Sequence, residues 1–101
     1  MAPLELLILK SLAAGPNHGF GITLQVQEAS GGLLGVEEGS LYPALHRLEK
    51  SGVLAAEWST TAAGRRARLY RLTALGRKRL AKVERQWAVV ARGVARLLRF
   101  A

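Results

Sequence analysis

Apolar residues recur along this chain with two different periods, and each change of period marks an element boundary. Leu4, Leu7, Ile8 and Leu12, with Ser11 on the same face, step by three and four, which predicts a helix over 4–14 that Gly15-Pro16 stops. A second helical pattern follows, with Phe20, Leu24 and Gln27 on one row and Ile22, Val26 and Ala29 on another. Asn17 is a suitable N-cap for it. Gly19 and Gly21 weaken its first turn and allow another backbone to come close.

Ser30-Gly31-Gly32 ends that segment, and 33–36 has room for only a turn or one short strand. Ser40 then reads as the N-cap of a third helix, which places Pro43 in the first turn, where the missing N–H matters little. Leu41, Leu45 and Leu48 lie at i, i+4 and i+7 and face a core, leaving Tyr42, Pro43, His46, Arg47 and Lys50 on other faces. Gly52 is the C′ stop.

The period then changes to two. Over 53–59, Leu54, Ala56 and Trp58 alternate with Val53, Ala55 and Glu57, and 67–72 supplies a partner strand with Tyr70 and Leu72 on one face. Residues 60–66 form the tip between them. Thr73 caps a last helix, although Gly76 stands where a capping box would carry Glu. Leu80, Val83, Trp87, Val90, Val94 and Leu97 repeat by three and four as a heptad seam, too long for so small a head to cover. The seam predicts a homodimer. The chain therefore divides into a winged helix-turn-helix head over 1–72 and a dimerisation helix over 73–101, an α+β fold acting as one compact unit.

Composition sharpens this picture. At 101 residues the chain is one domain, and its hydrophobic fraction of 50% with a mean hydropathy of +0.13 is high for its size, consistent with a face shared between copies. Cysteine and aspartate are absent. With His18, His46 and scattered glutamates alone, no metal cluster, acid/base pair or nucleophile emerges, so neither an enzyme nor a cofactor is indicated. Glu5 and Lys10 interrupt the apolar N-terminus, which makes a poor signal peptide, and no run approaches the roughly 20 residues of a membrane span. A cytoplasmic protein without membrane association is expected.

The net charge of +8 is segregated. Through Gly64, three cations face six glutamates, giving −3; from Arg65 onward twelve cations face Glu84 alone, giving +11. A basic block that begins at a hairpin tip points to a polyanion, and a short polar-faced helix followed by that hairpin points to double-stranded DNA. Ser40, Tyr42, His46 and Arg47 are placed to reach bases or phosphates, against the simpler reading that they are the solvated face of a core helix. Arg65, Arg66 and Arg68 repel one another unless an anion joins them, which favours phosphate contacts over mere solubility. His18 can reach a phosphate from the start of the second helix, although an exposed polar role is simpler.

On the last helix Lys78, Arg85, Arg92 and Arg99 share heptad position f, with Lys82 and Arg96 at c, and read as a solvated face opposite the seam. Trp87 is first a packing residue. Beside small Ala88 and Gly93, and with Val83 and Val90, it could also bound a flat pocket for a planar aromatic ligand.

These residues resemble the PadR family of bacterial transcriptional regulators, in its smaller subfamily with a single C-terminal helix. The matching segments are 4–10, His18-Gly19-Phe20-Gly21-Ile22, Glu38-Gly39-Ser40-Leu41-Tyr42-Pro43-Ala44-Leu45, Arg47-Leu48-Glu49, Gly64-Arg65-Arg66-Ala67-Arg68, Tyr70-Arg71-Leu72-Thr73 and Gly76-Arg77. The resemblance implies a homodimeric repressor of a palindromic operator, often released by a small, commonly aromatic effector near a tryptophan placed like Trp87. It also implies DNA contacts from His18, Phe20, Ser40, Tyr42, Pro43, His46, Arg47, Arg65, Arg66 and Arg68. Phe20 departs from the family's usual tyrosine, so a hydroxyl contact to phosphate is lacking. Two rival functions remain: a non-specific nucleic-acid packaging protein, and a winged-helix module whose seam binds a partner protein.

Overall fold

The computed structural model describes residues 3–100. Helix α1 (Leu4–Ala13) leads through a two-residue strand β1 (Asn17–His18) into α2 (Gly19–Ala29) and α3 (Glu38–Lys50). Strands β2 (Leu54–Thr60) and β3 (Arg66–Leu72) form a hairpin, and α4 (Ala74–Phe100) closes the chain. The antiparallel sheet runs β1-β3-β2, with Asn17 opposite Tyr70 and Leu54 opposite Leu72.

Three local expectations change. Asn17 is not a helix cap: it pairs with Tyr70 in β1, and its Oδ1 accepts a hydrogen bond from the His18 N–H at 2.9 Å. A Cβ on Gly21 would stand 2.0 Å from that same Oδ1, so Gly21 makes room for a side chain rather than a backbone. The 33–36 segment forms no strand. Instead Ser30 Oγ accepts from the Leu34 N–H at 3.0 Å after Gly31 and Gly32 turn the chain at positive φ.

Helix α3 starts two residues earlier than Ser40. Glu37 is its N-cap, without a side-chain cap bond, and Ser40 lies inside the first turn. Pro43 therefore sits in the second turn, where its missing N–H leaves the Gly39 carbonyl without its usual intrahelical donor. Both residues are exposed. The helix tolerates the proline because its opposite face is anchored by Leu41, Ala44, Leu45 and Leu48, all buried.

That face meets Ile8, Leu9 and Leu12 of α1, Ile22 and Val26 of α2, and Leu54, Tyr70 and Leu72 of the hairpin in one core. Burying side chains of this size contributes about 1.5–3 kcal/mol each. The core occupies only the base of the hairpin. Toward its tip, the same sheet face continues as Trp58 opposite Arg68 and Thr60 opposite Arg66.

Between β3 and α4 the chain is tied to the end of α3. Thr73 Oγ1 accepts from the Gly76 N–H at 3.0 Å, as an N-cap does, and donates to the Gly52 carbonyl at 2.7 Å. The missing capping-box glutamate also has an explanation: a Cβ at Gly76 would lie 2.0 Å from the Val53 carbonyl oxygen. Only glycine lets α4 pass this close to the chain entering β2.

Helix α4 changes character along its length. Leu80 is buried in the core of the head, which corrects its assignment to the seam, and Val83 and Trp87 are half-buried. Ion pairs Glu5–Arg79 at 2.9 Å and Lys10–Glu84 at 2.8 Å fasten this half to α1. Beyond it Val90, Val94 and Leu97 are exposed, Leu97 by 69%, and the helix accounts for much of the 53 Å length of the molecule. No helix among the described residues is long and apolar enough to cross a membrane.

Candidate nucleic-acid interface

The outward face of α3 follows from what its other face buries. With Leu41, Ala44, Leu45 and Leu48 turned inward, the 3.6-residue period directs Gly39, Pro43, His46 and Lys50 straight out. Tyr42 and Glu49 flank that row on one side, Ser40 and Arg47 on the other. The Tyr42 ring lies over the start of α2, where a Cβ on Gly19 would meet it at 2.8 Å. This contact fixes how α2 and α3 meet, and Gly19 is what permits it.

Between the start of α2, Tyr42 and the hairpin tip lies a cleft of about 560 Å³, lined by His18, Phe20, Tyr42, Arg65, Arg66 and Arg68. An adjoining groove of about 560 Å³ shares Tyr42, Arg68 and Tyr70 and adds His46, Glu49 and Lys50. Seven of the ten expected contact residues are thus brought to one continuous concave surface. Ser40, Pro43 and Arg47 are exposed on α3 but line neither hollow.

The tip is a tight turn. Thr61 N–H donates to the Arg65 carbonyl at 2.8 Å, Gly64 N–H donates to the Thr61 carbonyl at 2.9 Å, and Gly64 takes a φ of 82°. Arg65 and Arg66 are exposed there. Arg68 differs from them: its Nη2 donates to Glu49 Oε2 and its side chain is 31% exposed. Its guanidinium is not free for a phosphate, because α3 supplies the carboxylate that holds it. The pair instead braces the hairpin against α3.

Trp58 was not anticipated as part of this surface. It is 57% exposed, and the Arg66 and Arg68 guanidiniums lie 5.0 and 5.4 Å from its ring centroid, within cation–π range. The signal was present in the alternation, since arginines two apart on one strand face a residue on the next. Lys50 and Glu49 were also absent from the expected set. Their helical phase relative to Leu41, Leu45 and Leu48 placed them beside His46.

His18 is half-buried, not exposed, and its Nε2 is enclosed without a hydrogen-bond partner, so this nitrogen is not presented to a phosphate in this conformation. Burial raises the Tyr70 phenol above its ordinary pKa; the neighbouring Arg68 charge opposes that shift and the Glu49 carboxylate adds to it. Tyr70 therefore stands in the groove as a neutral group. No cluster of metal-ligating side chains occurs among the described residues.

At the other end of the head, Val83, Trp87 and Val90 line a hollow of about 200 Å³ with Pro3, Glu5, Leu6 and Gln86. That is below the roughly 300–1,000 Å³ of typical small-molecule pockets.

The sequence profile of the transcriptional regulator PadR-like family matches residues 8–82, most of the head and the embedded part of α4. The chain belongs to the PadR-like family of transcriptional regulators. The transcriptional regulator Rv3488 of Mycobacterium tuberculosis is 40% identical over 93 residues, covering 92% of this chain and 83% of that protein. A PadR family regulator from Eggerthella lenta superposes with a TM-score of 0.77 at 33% identity, covering 97% of this chain and 83% of the other. The Bacillus subtilis PadR in its complex with operator DNA gives a TM-score of 0.71 at 25% identity, over 80% of this chain but 46% of that one.

Proposed function

We propose that this PadR-like chain is a homodimeric, sequence-specific DNA-binding repressor of a palindromic operator. The observation that carries the reading is the concave surface shared by the start of α2, α3 and the hairpin tip. There the outward side chains Tyr42, His46 and Lys50 stand beside the exposed side chains of Arg65 and Arg66. A helix of 13 residues with one exposed face fits a major groove, and cations on a flanking hairpin fit the adjoining backbone. The operator complex of the Bacillus subtilis relative supports this assignment.

Val90, Val94 and Leu97 supply the dimer seam, continued by half-buried Val83 and Trp87. Two such helices would present their α3 elements one DNA turn apart, roughly 34 Å. Bringing two copies of the Trp87 hollow together would complete a pocket for a planar aromatic effector, whose binding would release the operator.

The deciding test is fluorescence anisotropy against duplex from the protein's own promoter and a shuffled control at several salt concentrations. A regulator prefers the promoter by about 10³-fold or more. Equal affinity for both would identify a packaging protein, and no affinity near physiological salt would identify a protein-interaction module. For the seam, Trp87→Asp should turn the dimer into a monomer in sedimentation, and a persistent dimer would remove Trp87 from the interface.

A further inference from the structure

The back of α4 carries a ridge of cations that no acid among the described residues compensates. Lys78, Lys82, Arg85, Arg92, Arg96 and Arg99 fall within one sector of the helix, opposite the apolar row of Leu80, Val83, Trp87 and Val94, and all six are exposed. Solvated helix faces usually interleave acids with such cations. Here Glu84 is the only acid on α4, and it points toward α1, where Lys10 holds it. Arg79, on the α1 side, has Glu5. Among the described residues, none of the six ridge cations has an ion-pair partner.

Like charges therefore stand at i, i+4 in Lys78/Lys82 and Arg92/Arg96, and at i, i+3 in Lys82/Arg85 and Arg96/Arg99, spacings at which they repel. From Lys78 to Arg99 the ridge runs about 32 Å, close to one turn of B-form DNA. The side chains between the cations on this sector are Ala81, Ala88 and Val89, which are short and leave the charged ends clear.

We infer that this ridge binds the phosphate backbone of a duplex separate from the one read by α3 and the hairpin, so that a protein seated on its operator can hold a further segment of DNA. A second copy of the chain cannot cover the ridge with its own ridge, which would bring the same charge. A lipid surface would be engaged by the apolar face of α4, which lies on the opposite side. Double-stranded DNA supplies dense negative charge along a length the ridge matches. Contact is with phosphates only, without base recognition.

The test uses the full chain in four forms: wild type, a head variant (Arg47→Ala, Arg65→Ala, Arg66→Ala), a ridge variant (Lys82→Gln, Arg85→Gln, Arg92→Gln, Arg96→Gln), and both together. Glutamine keeps the helix, and circular dichroism checks that it does. Anisotropy is read on a shuffled duplex between 50 and 200 mM salt. The head variant should retain sequence-independent binding that weakens by up to about 10³-fold across that range, as expected for about six phosphate contacts. Adding the ridge substitutions should abolish it. With operator bound to immobilised wild type, a labelled second duplex should be captured, and the ridge variant should bind operator yet capture none.

Loss of all duplex binding in the head variant, or capture unchanged in the ridge variant, overturns the inference and leaves the regulator reading standing. Ridge-dependent binding without promoter preference in the wild type would sink the regulator reading and leave the ridge. Ridge-dependent binding to phosphatidylserine vesicles, with none to duplex, would overturn it in favour of a membrane.

Discussion

Helices α3 and α4 both carry apolar residues at three- and four-residue spacing, and the two stripes end in different places. Leu41, Leu45 and Leu48 of α3 are buried by the chain's own α1, α2 and hairpin. Val90, Val94 and Leu97 of α4 remain open to solvent, although the first turns of the same helix are embedded in the head. The periodicity states which face needs cover. It does not state whether that cover comes from the same chain, and only the placement of α1 against the first half of α4 separates the two cases.

The sharpest way to break this contrast is to truncate one residue on each stripe. Leu45→Ala should destabilise the head by about 2–5 kcal/mol at any protein concentration, read from the urea midpoint. Val94→Ala should instead lower stability only at concentrations where the wild type associates, and the difference should shrink as both are diluted to monomers. A loss that persists undiminished on such dilution would mean that the distal stripe does not associate.

A smaller effect lies where the two regions join. Gly76→Ala must push α4 away from the Val53 carbonyl and should cost about 1–3 kcal/mol in the same assay, despite alanine's higher helix propensity. Stabilisation by that substitution would show that the close approach is relaxed.

Where the hairpin meets α3, Glu49→Gln should release Arg68 from α3. The affinity for any duplex should rise and its logarithmic salt slope steepen by about 0.9, the contribution of one added phosphate contact. An unchanged slope would mean that Arg68 stays on Trp58. The accompanying loss of stability should be at most about 1 kcal/mol, as for other part-exposed pairs. The smallest effect concerns pH. Burial holds the Tyr70 proton in the folded state after the unfolded chain has released its own, so stability should be intact below pH 10 and fall as pH rises beyond it. Tyr70→Phe should flatten that alkaline decline.

Much of the head was legible because its signals were local. The spacing of Leu41, Leu45 and Leu48, the stop at Gly52, the alternation through Leu54 and Trp58, and the cap at Thr73 each depend on neighbours within a few residues. What escaped involved contacts between distant segments. Asn17 reads as a cap until β3 offers it a strand edge, and Arg68 reads as a free cation until α3 brings Glu49 beside it. Gly76 reads as a missing glutamate until the Val53 carbonyl is seen against it. Ser40 misled for another reason: it is a good capping residue in a helix that begins at Glu38 without a side-chain cap.

The tie formed by Thr73, Gly52 and Gly76 makes α4 a lever arm welded to the base of the hairpin, with no soft joint between them. Its 27 residues give an arm of about 40 Å. A tilt of roughly 5° at one end then displaces the other by about 3.5 Å, close to the 3.4 Å rise of one base pair. In the proposed dimer, a molecule that wedged two such arms apart by that small angle would shift the two heads by a whole step of a duplex.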